Sequence, residues 1–182
     1  MTKKGTTLKC VLLDANIIIE AYKLGIWEEL IERVEITVSS IVANDEVLFF
    51  SKQEDKIPTP INLRNLIEQE KINELSATQD EMTSFLNIFD SVFTQGLDPG
   101  EIESLCIIEN GNAGDSFFCT SDAPAIKALA MIGHSNVGIS MELILKKVGL
   151  QKRLSKQFTD GFFKALIKEG QQTLITGQGL RK

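Results

Sequence analysis

The sequence is poor in the residues that build covalent and thiolate sites. Its three cysteines, Cys10, Cys106 and Cys119, sit among apolar neighbours, form no CxxC pair and leave an odd count. They read as reduced core cysteines of a cytosolic protein, not as a disulfide framework. The single histidine, His134, follows Gly133 in a loop-like stretch with no nucleophile organised around it, so a catalytic triad is not expected. Tyr22 and Trp27 are the only residues of their types, too few for an aromatic platform that stacks single strands. No G-x-G-x-x-G follows the first apolar run and no G-x-x-x-x-G-K-[ST] occurs, which removes dinucleotide binding and P-loop chemistry. Positive charge is short as well. The net charge of −6 gives no long-range attraction for nucleic acid, although an acidic site can reach phosphates through bound metal.

Long apolar runs are also missing. The start, from Met1 to Thr7, is basic, but the apolar run after it breaks at Asp14, too short for a signal peptide. No stretch is long enough to span a bilayer, so a cytoplasmic protein without membrane association is expected. What is present is ordinary for a globular chain: 43% apolar and 24% charged residues over 182 positions, enough for one domain with a full core.

Periodicity predicts strands alternating with helices. Cys10–Leu13 is continuously apolar, as a buried parallel strand is. A helix is expected from Ile17 to Arg33, a strand at Glu35–Val38, and a helix from Ile41 to Phe50 after Ser39 and Ser40. Residues 51–60, with two prolines, read as a loop. A third strand is expected at Lys71–Leu75 and a helix at Glu81–Phe93. Asp98-Pro99-Gly100-Glu101 then opens a helix to Glu109. A strand at Ser116–Thr120, a helix at Ala123–Ile132 and an extended piece at Asn136–Ile139 follow. Two helical stretches, Met141–Val148 and Lys152–Lys168, close the pattern. This alternation implies right-handed crossovers and a mainly parallel sheet in one α/β domain. The core spans about residues 9–139, with a helical C-terminal extension over about 140–182.

Ligands of open α/β sheets bind beyond the carboxyl ends of the strands, and Asp14 and Asp122 stand there. Each also precedes a helix, where Asp is a favoured cap, so either alone is ambiguous. Glu46 is more informative. Its helical neighbours would be Val42, Ala43, Phe49 and Phe50, an apolar face on which an unpaired carboxylate is costly unless partnered, neutralised or metal-bound. Glu103 lies on a helix apolar nearly all round and is expected to point inward, while Glu101 has a local role in a capping box. Converging carboxylates repel by roughly 4 kcal/mol per pair at about 4 Å and an effective dielectric of about 20. Mg²⁺ or Mn²⁺ would relieve that repulsion, lower the pKa of a bound water and orient a phosphodiester.

These residues resemble the PIN-domain family. The likeness lies in Asp14-Ala15-Asn16 after the first strand, Glu46, Asp98-Pro99-Gly100-Glu101-Ile102-Glu103 opening a helix, and Thr120-Ser121-Asp122 after a later strand. The segments Gly133–Ile139 and Lys146–Leu150 are similar to a prokaryotic PIN-like branch. The resemblance covers about Lys9 to Gly170 and implies a Rossmann-like, three-layer α/β/α domain with Mg²⁺- or Mn²⁺-dependent endoribonuclease activity. By position, Asp14, Glu46, Glu103 and Asp122 would be the catalytic metal ligands. Asn16 and Thr120 would orient them or the attacking water, and Glu101 would be an additional carboxylate or, in place of Glu103, the third acid. The resemblance further implies an RNA substrate, an antitoxin or other protein partner as in toxin–antitoxin pairs, and a homodimer. The chain is longer than a compact toxin.

Two other readings compete. A catalytically silent PIN-like module would bind a protein partner through its helical surfaces and take up no metal. A receiver-like phosphoacceptor would show paired acids at an early strand end, whereas the second strand here ends in serines. Lys146, Lys147, Lys152, Arg153 and Lys156 form the densest basic region, read as solvated helix faces or as a contact for RNA or a partner.

Overall fold

Leu12 is fully buried in the middle of the first strand, β1 (Leu8–Leu13), and the side chains around it alternate between two cores. Val11 and Leu13 enter one apolar cluster and Leu12 enters the other. That is the signature of a strand covered on both faces. The computed structural model describes residues 8–51 and 57–181. The basic stretch 1–7 and positions 52–56 of the expected loop lie outside the described residues.

β1 pairs in parallel with β2 (Val34–Ser39) on one side and β6 (Phe117–Cys119) on the other. β5 (Asn73–Leu75) adds to β2, giving a four-stranded parallel sheet in the order β5-β2-β1-β6. Helices α1 (Ala15–Lys23), α2 (Trp27–Arg33) and α8 (Met141–Val148) supply the first core, through residues such as Ile17, Trp27 and Ile144. Helices α4 (Gln79–Leu86), α6 (Pro99–Glu109) and α7 (Ala123–Met131) supply the second, through Phe85, Leu105 and Leu129. The molecule is therefore an α/β fold with helices on both faces of a central parallel sheet, compatible with three layers. No helix is long and apolar enough to cross a membrane among the described residues.

Four expectations need correction. The helix expected over Ile17–Arg33 is two helices, because Gly25 turns the chain with φ +66° between α1 and α2. The helix expected over Ile41–Phe50 is a five-residue π turn, Val42–Glu46, in which Val47 N–H donates to Val42 O at 3.1 Å. Beyond it, β3 (Phe49–Ser51) pairs antiparallel with β4 (Pro58–Pro60). A short apolar run fits both helix and strand templates, and Phe50 decides by stacking on Tyr22 at 5.3 Å. α3 (Leu63–Glu68) follows β4, and α5 (Ser91–Thr94) takes the end of the helix expected to Phe93. Last, residues 151–155 form neither helix nor strand, and α9 runs over Asp160–Thr176.

The two carboxyl-terminal helices pack differently: Phe163 and Leu166 of α9 (Asp160–Thr176) join Ile126 of α7 in a third, smaller apolar cluster. α8 carries Ile144 and Leu145 into the first core. α9 lies against α7 closely enough that a Cβ on Gly170 would come within 2.6 Å of Lys127 O and 2.7 Å of Ala130 Cβ.

Candidate active site: a carboxylate cleft at the strand ends

Asp14 ends β1 and leads into α1, and its own N–H is tied to Cys119 O of β6 at 3.0 Å. The side chain is 2% exposed. Its Oδ2 accepts a hydrogen bond from Thr120 Oγ at 2.8 Å, and Thr120 Oγ accepts in turn from Asp122 N–H at 3.0 Å. Asn16 Oδ1 accepts from Ser121 N–H at 3.4 Å. The ends of two adjacent strands are thus cross-linked around one buried carboxyl. Burial pushes that carboxyl up to about 7, against the lowering bonds from Thr120 and Ala15, with Glu46 and Asp122 adding repulsion.

Asp14, Asn16, Ile19, Glu46, Asp98 and Glu101 line a single open cleft of about 410 Å³. Glu101 is 3% exposed; its Oε2 accepts from Asp98 N–H at 2.9 Å. Its carboxyl is pushed up to about 9, chiefly by burial, then by the charge of Asp14, with Asp122 and Asp98 contributing. Glu46 is half-buried and its Oε1 accepts from Gly100 N–H at 2.7 Å. Burial raises its carboxyl, the Gly100 bond lowers it, and Asp98 raises it again. Asp122 does not line the cleft. It caps α7, accepting from Ala125 N–H at 3.4 Å, and is raised by burial and by Asp98.

Glu103 points away from this cleft, contrary to expectation. Successive helix residues are rotated by about 100°, so Glu101 and Glu103 face nearly opposite directions and only one can reach the cleft. Glu103 instead accepts from Ser40 Oγ at 2.6 Å, Ile41 N–H at 2.7 Å and Ala77 N–H at 3.2 Å. Among the described residues, no three acidic side chains stand close enough together to close on one ion as placed.

No family model, curated protein or solved structure matches the chain. The residues alone carry the functional reading. Asp98 is the member that sequence reasoning overlooked. Its place before Pro99 had a sufficient explanation as a helix cap, yet it lines the cleft and raises Glu46, Glu101 and Asp122. The available signal was its position three residues before Glu101, one helical turn away. His134 bonds to Glu109 at 2.9 Å, at the opposite end of α6 from the cleft.

The donor set fits a hard divalent cation. Every polar side chain lining the cleft offers oxygen; no thiolate or imidazole is present, and oxygen-only sets suit Mg²⁺ and Mn²⁺. Burial is the main cause of the raised carboxyls of Asp14 and Glu101, and the repulsion their acidic neighbours add is what a cation would relieve.

Proposed function

We propose that this chain is a PIN-like, Mg²⁺- or Mn²⁺-dependent ribonuclease. The observation that carries the reading is that Asp14, Glu46 and Glu101 all line one cleft at the carboxyl end of a parallel sheet, with Asp14 raised to about 7 and Glu101 to about 9. Asp14, Glu46 and Glu101 would hold the ion, and Asp98 and Asp122 would add charge from the rim. A cation held by these residues would supply a lowered pKa for a water and charge neutralisation at phosphate oxygens.

The chain's own groups do the rest. Thr120 fixes the rotation of the Asp14 carboxyl through its 2.8 Å bond, and Asn16 ties the start of α1 to Ser121. Gly100 N–H holds Oε1 of Glu46 at 2.7 Å and so fixes that carboxyl against the start of α6. Burial pushes the Glu101 carboxyl up to about 9, so a cation held there would be taken up in exchange for a proton. The openness of the cleft to solvent suits a polymer that lies across it. An RNA substrate, a toxin-type role with an antitoxin and a homodimer belong to the same proposal and rest on the resemblance in Asp14-Ala15-Asn16 and Thr120-Ser121-Asp122.

The test is Mn²⁺-supported digestion of varied RNA and DNA by wild type, Asp14→Asn and Glu101→Gln. RNA cleavage that falls at least a hundredfold in both variants is expected. Equal products from all three proteins would end the nuclease reading; absence of both metal uptake and cleavage would favour the silent binding module.

A further inference from the structure

The π turn that carries Glu46 is fastened at both ends to one helix. At its start, Ser40 Oγ and Ile41 N–H both donate to the Glu103 carboxylate, at 2.6 and 2.7 Å. At its finish, Glu46 accepts from Gly100 N–H at 2.7 Å. Gly100, Glu101 and Glu103 all lie in the first turns of α6. Glu103 is 1% exposed and forms no ion pair among the described residues. Three donated hydrogen bonds hold its charge instead. The third, from Ala77 N–H, joins the segment after β5 to the same carboxylate.

Space around the turn is equally restricted. A Cβ on Gly100 would stand 2.2 Å from Glu46 Oε2 and 2.7 Å from Val42 Cγ2. The backbone of α6 therefore touches the Glu46 carboxyl directly. π turns are rare and concentrate at functional sites, where an added residue re-aims a side chain. This turn aims Glu46 at the helix start from which Glu101 enters the same cleft.

We infer that Glu103 is a positioning residue: it anchors the Ser40–Glu46 turn to α6 and so sets Glu46 relative to Glu101. Its meaning for chemistry rests on the cleft being the metal site proposed above; the mechanical claim does not. Gly100 N–H meets the far end of the turn but also lies one helical turn from Glu103, so Ser40→Ala, which acts on the turn alone, separates anchoring from a local effect within α6.

Amide resonances of the ¹⁵N-labelled full chain, recorded well below the melting temperature, test it. Glu46→Gln defines the Gly100 resonance when its charged partner is lost. Glu103→Gln and Ser40→Ala should each move that resonance toward this position, leaving Phe118 in β6 in place. Ser40→Ala keeps the Glu103 charge and serves if Glu103→Gln does not fold. Mn²⁺ affinity, read from the electron paramagnetic resonance of the free ion, should fall about tenfold or more in Glu103→Gln and recover in part in Glu103→Asp. A Gly100 resonance that stays at its wild-type position in both variants, or unchanged Mn²⁺ affinity in a protein that binds the ion, overturns the inference. Failure of the wild type to bind Mn²⁺ would instead remove the metal reading, and the Gly100 resonance would still decide the positioning role.

Discussion

Thr120 Oγ stands 2.8 Å from Asp14 Oδ2 and donates its proton there, while receiving Asp122 N–H at 3.0 Å. The bond lowers the Asp14 carboxyl against a burial effect that still carries it to about 7. Thr120→Val keeps the shape and removes the donor, so Asp14 should titrate higher than in the wild type. The pH at which Mn²⁺ binding reaches half its maximum should shift upward by a readily measured amount. A binding profile superimposable on the wild type would refute this role of Thr120.

The same burial makes stability depend on pH in an unusual direction. Asp14 gives up its proton near 3.8 when unfolded and near 7 when folded, and Glu101 near 4.5 and 9. The folded state therefore binds more protons across that window, and stability falls as pH rises through it. In chelator, Asp14→Asn should be more stable than wild type at pH 8, by an amount on the order of a few kcal/mol. The gap should close on acidification toward the unfolded value of 3.8. Melting curves of the two proteins against pH measure it, and a gap independent of pH would contradict the assignment.

Gly100→Ala isolates close approach from charge. The added methyl meets Glu46 Oε2 at 2.2 Å and cannot be accommodated without moving that side chain or the helix start. Alanine favours helix by about 1 kcal/mol over glycine in an interior position, so a net loss of stability would itself report the clash. Calorimetry should show destabilisation of about 1–3 kcal/mol, and Mn²⁺ affinity should fall with it. A stabilised protein with intact affinity would show that Glu46 has room to move aside.

Asp122 separates capping from electrostatics. Asn at this position still accepts from Ala125 N–H, as Asp122 does at 3.4 Å, but carries no charge. Asp122→Asn should melt within about 0.5 kcal/mol of wild type, whereas Asp122→Ala should lose about 1 kcal/mol. Both should weaken Mn²⁺-dependent cleavage to a similar extent. Full cleavage in the Asn variant would confine Asp122 to its capping role.

Much of the framework could be read from the chain because local patterns matched their burial. Cys10–Leu13, Glu35–Val38 and Phe117–Cys119 are apolar or alternating runs and became neighbouring strands. The start of α6 followed from Asp98-Pro99. Direction was harder. α6 is buried on nearly every side, so no polar face tells which of Glu101 and Glu103 turns to the cleft. The answer lies in Ser40, Ile41 and Ala77, distant in the chain, whose donors claim Glu103. The Ile41–Phe50 stretch misled for a similar reason: its apolar residues suit a helix until Phe50 finds Tyr22. Asp98 was obscured by having one adequate explanation already.

The bond between Thr120 and Asp14 joins residues 106 positions apart. During synthesis, Asp14 leaves the ribosome long before its partner, and β6 must pair with β1 before the Asp14 carboxyl acquires its donor. A growing chain that has not yet exposed Thr120 and Asp122 holds Asp14 without its donor and without the second strand end. Every intermediate that ends before Asp122 therefore lacks the hydrogen bonds that fix the Asp14 carboxyl, and that environment forms only once β6 and the residues after it have been made.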